Sequence, residues 1–211
     1  MTRTAPPATG RGRPRQFDRD VALEAAMHLF WSKGYEATSI RDLTRTMNIS
    51  LPSLYAAFGS KEALYAEALS RYSRTADTIG LARLRAPDVP VRAAVEGYLM
   101  AAAAFLSAPE GDHPTGCMVT LGTVNREESP ALHERLCAER SEAFSRLQQR
   151  ITTAVEAGEL PATLDARALA RFVHGLLCGM AVLARDGIDR EELERIVHIA
   201  MHGWDAHVGA A

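Results

Sequence analysis

One stretch, residues 39–61 (SIRDLTRTMNISLPSLYAAFGSK), restricts the fold of this 211-residue chain more than any other. Its apolar residues recur at intervals of three and four, which predicts helix, and the interval breaks once, at Asn48. Asparagine tolerates the left-handed backbone of a turn, and Ser50 just after it can cap a new helix. Pro52 then falls in the first turn of that helix, where amides lack intrahelical partners. Two short helices joined in this way form a helix-turn-helix, a motif whose second helix lies in the major groove of DNA.

The helices predicted on either side of this motif support it. Asp18 can cap a first helix, which Gly34 ends. The apolar face of that helix, with Val21 and Phe30 among its members, is expected to bury against the motif, so its role is structural. Ser60 can cap a further helix that is predicted to run to about residue 83.

Short runs of sequence in and around the motif resemble those of a known family. They are YEATSI at 35–40, MNIS at 47–50, the pair Leu54-Tyr55, Phe58, and KEAL at 61–64. Together they are similar to the DNA-binding domain of TetR-family (TetR/AcrR-type) transcriptional repressors, over about the first third of the chain. The resemblance implies phosphate contacts from Thr38, Tyr55 and Lys61. It departs at Leu51, Pro52 and Ala57, where the family often has glycine or lysine and then histidine, so it does not imply an operator sequence.

The second helix of the motif is predicted to expose a small face that lacks arginine and asparagine, residues that read bases bidentately. Its hydroxyls can bond to bases or phosphates, and its apolar side chains can contact thymine methyls. Specificity is therefore expected to be shared with arginines of the preceding helix, with the N-terminal arm and with DNA shape. The predicted DNA-contacting residues are Thr38, Ser39, Arg41, Arg45, Ser50, Leu51, Pro52, Ser53, Tyr55, Ala56 and Lys61.

The distribution of charge favours a front end that meets phosphate. Residues 1–61 hold nine basic and five acidic residues and carry a net charge of +4, whereas residues 62–211 carry −6. Residues 1–16 have no apolar periodicity, and Arg11, Arg13 and Arg15 alternate there with glycine and proline. This composition predicts a flexible basic arm, which is either a solvated tail or an arm that enters the minor groove.

Beyond the motif the chain is predicted to be helical throughout. Residues 85–90 (RAPDVP) break the pattern and mark a boundary between a DNA-binding domain at 17–84 and a second domain at 85–211. Ser129 is predicted to cap a long helix that reaches about residue 157, and Thr163 to open the next one. Since no strand-like alternation occurs, the fold is predicted to be all-α with about nine helices.

The last two predicted helices have wide apolar faces. These faces are consistent with a four-helix bundle formed with a second copy of the chain, which is how the family's dimers form, or with packing inside one monomer. A dimer is favoured because one short reading helix binds DNA weakly, whereas two copies read two half-sites.

The resemblance also implies a ligand pocket in the second domain. A ligand would favour a dimer form whose reading helices no longer match the groove spacing, and the operator would be released. Apolar residues at helical spacing are equally what a plain core requires. A constitutive regulator that needs no ligand is therefore an alternative. The predicted lining residues are Tyr98, Phe105, Cys117, Met118, Phe144, Phe172, Leu176 and Met180.

Cys117 follows Gly116 at the start of a predicted short helix, and this pair resembles a branch of the family that senses electrophiles through a thiol. A helix N-terminus favours the reactive thiolate. A buried cysteine can equally be a small apolar residue. Two alternatives thus remain for Cys117, a sensor of oxidants or electrophiles and a residue of the core.

Other classes of protein fit this sequence less well. The rival class is an all-α enzyme or metal-binding protein, but no nucleophile–base pair or ligand cluster is apparent, and His198 and His202 lack a third ligand. The three cysteines are too scattered for a disulfide framework, and no apolar run reaches the roughly 20 residues of a membrane span. We therefore expect a cytoplasmic protein without enzyme activity, cofactor or metal. Its expected partners are a palindromic double-stranded DNA operator, a small-molecule effector and a second copy of itself.

Overall fold

The structure, a computed structural model, describes residues 17–86, 88–107 and 113–210. The arm predicted at residues 1–16 lies outside the described residues. Within them the chain forms nine α-helices and no β-strand, which confirms the predicted all-α class. The helices are α1 (Arg19–Lys33), α2 (Ile40–Thr46), α3 (Leu51–Phe58), α4 (Lys61–Arg85), α5 (Val91–Ser107), α6 (Met118–Leu121), α7 (Pro130–Glu156), α8 (Ala166–Arg185) and α9 (Arg190–Gly209).

Most of these helices begin at a capping side chain. The carboxylate of Asp18 accepts the first free amides of α1 at 2.9 and 3.3 Å, and the hydroxyl of Ser60 caps α4 in the same way. Gly34 ends α1 with a φ of 83°, in the left-handed region that favours glycine. The start of α8 differs from the prediction by a few residues, because Asp165 supplies the cap in place of Thr163.

Ser129 precedes α7 as predicted but does not cap it. No capping bond joins its side chain to the helix. The buried hydroxyl donates instead to the carboxylate of Glu62, in the first turn of α4. This bond to a charged acceptor is stronger than a bond to a neutral group. The predicted cap is thus a contact between the two parts of the chain.

Two clusters of buried apolar side chains hold the helices together. The first, which we name the reading-head core, joins α1, α2 and α3 to the first half of α4. The second, the body core, joins the end of α4 to α5, α7, α8 and α9. The reading-head core also takes in Met118, Val124, Leu132 and Leu136, so packing crosses the boundary predicted near residue 85. Val21, predicted on the buried face of α1, is 64% exposed.

Aromatic rings fill the junction between the two cores. Trp31, near the end of α1, lies edge-on to Tyr72 of α4 with ring centroids 4.8 Å apart. It stacks on His113 at 4.8 Å with the planes inclined by 12°, and Phe105 of α5 contacts both rings. Among the described residues, the indole Nε1 of Trp31 is the one buried side-chain nitrogen or oxygen without a hydrogen-bond partner.

Candidate nucleic-acid interface and ligand cavity

The turn between α2 and α3 has the geometry that its sequence predicts. Asn48 has a φ of 52°, in the left-handed region, and the amide of Ile49 donates to the carbonyl of Thr44 at 3.1 Å. The hydroxyl of Ser50 accepts the amide of Ser53 at 3.3 Å and caps α3. Local hydrogen bonds therefore fix the angle at which α3 leaves α2.

One face of α3 anchors it to the protein. Leu54 is fully buried and Phe58 nearly so. The guanidinium of Arg19 lies over the Phe58 ring, 4.4 Å from its centroid, and donates to the carbonyl of Ala57 and the carboxylate of Glu67. Because α1 and α4 hold this inner face, the opposite face of α3 remains in solvent.

The outer face of α3 is small and uncharged. Leu51 and Tyr55 are 48% and 46% exposed, and Pro52 and Ala56 are exposed beside them. The hydroxyl of Ser53 lies 2.8 Å from that of Ser50 at the start of the helix. This face can make apolar contacts and single hydrogen bonds, but it has no fork-shaped donor for bidentate reading of guanine.

Basic side chains flank this face on both sides. Arg41 and Arg45 of α2 are exposed, and the Arg45 side chain, 81% exposed, touches Asp42 at 3.4 Å. Lys61 lies in the first turn of α4, and its ammonium sits over the Tyr35 ring, 4.1 Å from the centroid. Burial lowers the pKa of Lys61, and the carboxylate of Glu36 opposes that shift. Three cations thus lie on the helices before and after α3.

Asp42 fixes the start of α2. Its amide donates to the hydroxyl of Ser39 at 3.1 Å, and its carboxylate accepts the Ser39 amide and hydroxyl at 3.2 and 2.8 Å, which completes a capping box. The ammonium of Lys33 bonds to the same carboxylate. These bonds, Lys33 first and Ser39 next, hold the pKa of Asp42 well below its usual range. Ser39 is exposed at the predicted interface, but its hydroxyl already serves this cap.

Thr38, one of the predicted DNA contacts, lies inside the protein and not on its surface. It is fully buried, and its hydroxyl donates to the carbonyl of Gly34 at 2.6 Å. A side chain in this position cannot reach a phosphate. Its hydroxyl instead satisfies a carbonyl at the end of α1 and holds the chain as it enters α2.

A cavity of about 130 Å³ lies between α4, α5, α6, α7 and α8. Three predicted residues, Tyr98, Phe105 and Cys117, line it. The Cys117 sulfur accepts the amide of Thr120 at 3.4 Å, which makes Cys117 the cap of α6. Much of the wall is apolar, so the cavity suits a small and largely apolar molecule.

The other five predicted lining residues lie elsewhere. Met118 packs in the reading-head core, and Phe144 and Met180 pack in the body core. Leu176 packs against the body core, and Phe172 is 49% exposed on the outside of α8. The residues of α8 that do line the cavity are His174 and Leu177. Neighbouring helix positions differ by about 100°, so an error of one or two residues changes the face.

Several polar side chains of the cavity wall were missed by the sequence analysis. They come chiefly from one stretch of α7 and include Glu139, Arg140, Glu142 and Arg146. Arg140 donates to the carbonyls of Val119 and Gly122 and so holds α6 against α7. The sequence does contain a signal for these side chains. Charged residues recur at spacings of three and four on a helix that also carries core residues.

Apolar side chains are exposed on both α8 and α9. Phe172 and Val182 of α8 are 49% and 46% exposed, and Ile199 of α9 is 72% exposed. Gly175 and Gly179 leave open space beside them. Within the described part of the chain, α8 is the one helix long and apolar enough to cross a membrane, with 28% of its apolar window buried. A face of this kind is where a second helix pair can dock.

The histidine pair of α9 belongs to a charged network. His198 Nδ1 lies 4.0 Å from the carboxylate of Glu96, and Arg92 joins Glu96 to Asp205 of α9. The described residues contain no group of three side chains that could hold a metal ion.

Comparison with known proteins gives matches along both parts of the chain. Residues 22–68 match the family model "Bacterial regulatory proteins, tetR family", and residues 92–200 match "Tetracyclin repressor-like, C-terminal domain". The HTH-type transcriptional repressor ComR of Escherichia coli K12 is 35% identical over 92% of each chain. The repressor BdcR of the same organism is 32% identical over 86% of each chain.

Solved structures give the same result. The TetR family transcriptional regulator CifR, as a cysteine mutant complexed with 26-base-pair double-strand operator DNA, superposes with a TM-score of 0.84 at 39% identity. That match covers 91% of this chain and all of the CifR chain. The helix-turn-helix, the helical body and these similarities agree, and the chain belongs to the TetR family of DNA-binding transcriptional regulators.

Proposed function

We propose that this protein is a dimeric repressor that binds a palindromic operator through α3 and releases it when a small molecule occupies the cavity. The observation that carries the proposal is the arrangement of α3. Leu54 and Phe58 anchor this helix, its uncharged outer face lies in solvent, and cations lie on the helices before and after it, two exposed arginines on α2 and the partly buried Lys61 on α4. ComR and BdcR are repressors, and CifR binds operator DNA, which supports the same role here.

The proposed DNA contacts fall into two groups. Tyr55 and Lys61 contact phosphates and position the reading head, by which we mean α1, α2, α3 and the first half of α4. The outer face of α3, which includes Ser53, contacts base edges and thymine methyls, and Arg41 and Arg45 of α2 share in the sequence preference. Ser39, Ser50, Leu51, Pro52 and Ala56 complete the contact surface. Thr38 is left out of the set because it is buried.

Dimerisation is proposed through the outer face of α8 and α9. Two copies would cover Phe172, Val182 and Ile199 in one four-helix bundle, the arrangement typical of the family. The exposed apolar residues of α8 are then covered by the partner subunit. We infer that the protein binds DNA in the cytoplasm. It acts by binding and release and not by catalysis.

Release of the operator is proposed to start at the cavity. Its wall joins α4, which carries the reading head, to α7 and α8 of the body. A molecule that binds better to one relative arrangement of these helices shifts the dimer towards that arrangement. The ligand expected from the wall is small and largely apolar.

A second candidate is a thiol-based repressor in which Cys117 is the sensor. The observation in its favour is that Cys117 lines the cavity, so a reactive molecule that enters would meet its sulfur. The experiment is release of operator DNA by hydrogen peroxide or by N-ethylmaleimide, measured for the natural protein and for Cys117→Ser. Release that is identical in the two proteins would exclude this candidate, and Cys137→Ser is the matched control.

The repressor proposal is tested by selecting binding sites from random DNA and measuring affinity by fluorescence anisotropy. We expect a palindromic site, with affinity that falls steeply as salt is raised because phosphate contacts release counterions. The control is a scrambled site of equal length. Equal affinity for both sites would contradict sequence-specific binding.

A further inference from the structure

The last residue of α8, Arg185, contacts the reading head directly. Its Nη2 donates to the carbonyl of Trp31 at 2.8 Å and its Nη1 to the carbonyl of Ser32 at 3.1 Å. Its Nε donates to the carbonyl of Thr115 at 3.0 Å. One guanidinium therefore joins the proposed dimer helix, the last turn of α1 and the segment that leads into the cavity wall.

The chemistry of this contact favours arginine at position 185. The last carbonyls of a helix have no intrahelical partners and carry the negative end of the helix dipole, so a cation there is favoured. A planar guanidinium spreads its donors over three nitrogens, so it can reach three carbonyls that the single nitrogen of an ammonium cannot span. Burial lowers the pKa of Arg185. The side chain is thus placed by its hydrogen bonds in a partly buried position.

Gly116 allows this arrangement. Its φ is 76°, and a Cβ placed on it would lie 2.6 Å from the Leu121 side chain and 2.9 Å from the carbonyl of Ala181. The same Cβ would lie 3.3 Å from the Nε of Arg185. Glycine is required because the segment passes so close to α8. The pair noted in the sequence thus has two roles, Gly116 at the Arg185 contact and Cys117 in the cavity wall.

The reading head has a second attachment to the body. The amide of Asn125 donates to the carboxylate of Glu36 at 2.9 Å, and the hydroxyl of Ser129 donates to Glu62. These contacts and the shared reading-head core remain when Arg185 is changed. Loss of the Arg185 contact should therefore leave the head folded and attached, but free to turn relative to α8.

We propose that Arg185 is a positioning residue that fixes the orientation of the reading head on the dimer and thereby sets the half-site spacing that the protein accepts. The inference rests on the proposed function, since spacing has meaning only for a dimer on two half-sites. The Arg185 contact also connects the cavity wall to the reading head through a short segment, because Thr115 is two residues from Cys117. A shift of this segment changes the partners of Arg185 directly.

The test compares the natural protein with Arg185→Met and Arg185→Lys on the selected operator and on operators with one base pair added or removed between the half-sites. One base pair rotates a half-site by about a tenth of a turn. We expect the natural protein to lose about tenfold in affinity on the altered spacings, and Arg185→Met to lose less than about threefold. Arg185→Lys should resemble Met and not arginine, since charge alone does not restore three bonds.

Arg190→Met is the matched control, because Arg190 lies five residues further on, is exposed, and pairs with Glu194 within its own helix. Arg190→Met should show the same dependence of affinity on half-site spacing as the natural protein. Thermal unfolding of all four proteins checks that Arg185→Met is folded. If folded Arg185→Met keeps the natural spacing profile, the inference is overturned.

A measurement without DNA separates this inference from the proposed function. A spin label at position 46, on the exposed Thr46 of α2, reports the distance between the two heads of a dimer. We expect a wider distance distribution in Arg185→Met than in the natural protein and in Arg190→Met. Identical distributions would overturn the inference even if operator binding were confirmed. A wider distribution in Arg185→Met would support the role of Arg185 in head orientation even if the natural protein bound no operator.

Discussion

Among the described residues, two helices, α3 and α8, each expose more than one large apolar side chain to solvent, and their exposed faces differ in ways that suit different partners. The outer face of α3 spans eight residues and carries hydroxyls at Ser53 and Tyr55, with cations on both sides. The outer face of α8 spans twenty residues, with exposed Phe172 and Val182 around Gly175 and Gly179. The first can lie in a polar groove, and the second can pack closely against another helix.

Exposed apolar area alone does not identify the partner that a helix face binds. What distinguishes the two faces is their surroundings. Cations that flank a short face indicate phosphate, whereas small residues within a long face indicate a second protein surface. Substitutions can therefore separate the two faces, each by a different measurement.

The largest effect is expected from Gly179→Arg, which places a long charged side chain in the middle of the α8 face. The position is exposed with open space in one copy, so the monomer should fold. Sedimentation should give half the natural mass, and operator affinity should fall by about hundredfold or more because only one half-site is held. Ala138→Arg, on the exposed side of α7, is the control. A dimer that persists in Gly179→Arg would place the interface elsewhere.

A smaller effect is expected from Lys61→Ala at the edge of the α3 face. Loss of a charged phosphate contact should weaken binding about tenfold, alike on the operator and on scrambled DNA. The slope of log affinity against log salt should decrease by about 0.9. Tyr55→Phe should likewise weaken binding to both DNAs equally, but it should leave the slope of log affinity against log salt unchanged. A loss confined to the operator would mean that Lys61 contacts a base.

A still smaller and more selective effect is expected from Ser53→Ala. Removal of one hydroxyl should change affinity about fivefold at one base-pair position and little elsewhere. Site selection with the variant identifies that position. Arg45→Ala, on α2, should also alter sequence preference. Ser32→Ala, whose exposed hydroxyl donates to the carbonyl of Leu29 within α1, is the control and should select the natural operator.

The smallest effect is expected from Asp42→Asn, which acts on stability alone. Because the pKa of Asp42 is lowered in the folded state, its contribution is complete above the pKa of the unfolded state, about 3.9, and is lost as pH falls through the folded value. Urea unfolding should thus show a less stable variant at about pH 7 and a smaller difference at about pH 3. Asp186→Asn, at an exposed helix end, is the control. A difference that grows towards low pH would contradict the assigned pKa shift.

The sequence was sufficient where short-range chemistry decides the structure. Asp18, Asn48 and Ser50 act on amides and carbonyls two to five residues away, so the reading head could be predicted in detail. The cavity could not, because its wall is set by the rotation of five helices about their axes. Leu177 lines it and Phe172 does not, although both belong to the apolar pattern of α8. Thr38 was misplaced for the same reason, since only the fold buries its side chain.

The aromatic junction has a practical consequence. Of the two tryptophans in the chain, Trp31 lies between the reading head and the body, stacked on His113, and Trp204 is buried in α9. Changing Trp204 to phenylalanine leaves a single tryptophan, at the joint, whose emission depends on its contact with the imidazole. A movement of the reading head relative to the body would then change this emission, so effector and operator binding can be followed without any added dye.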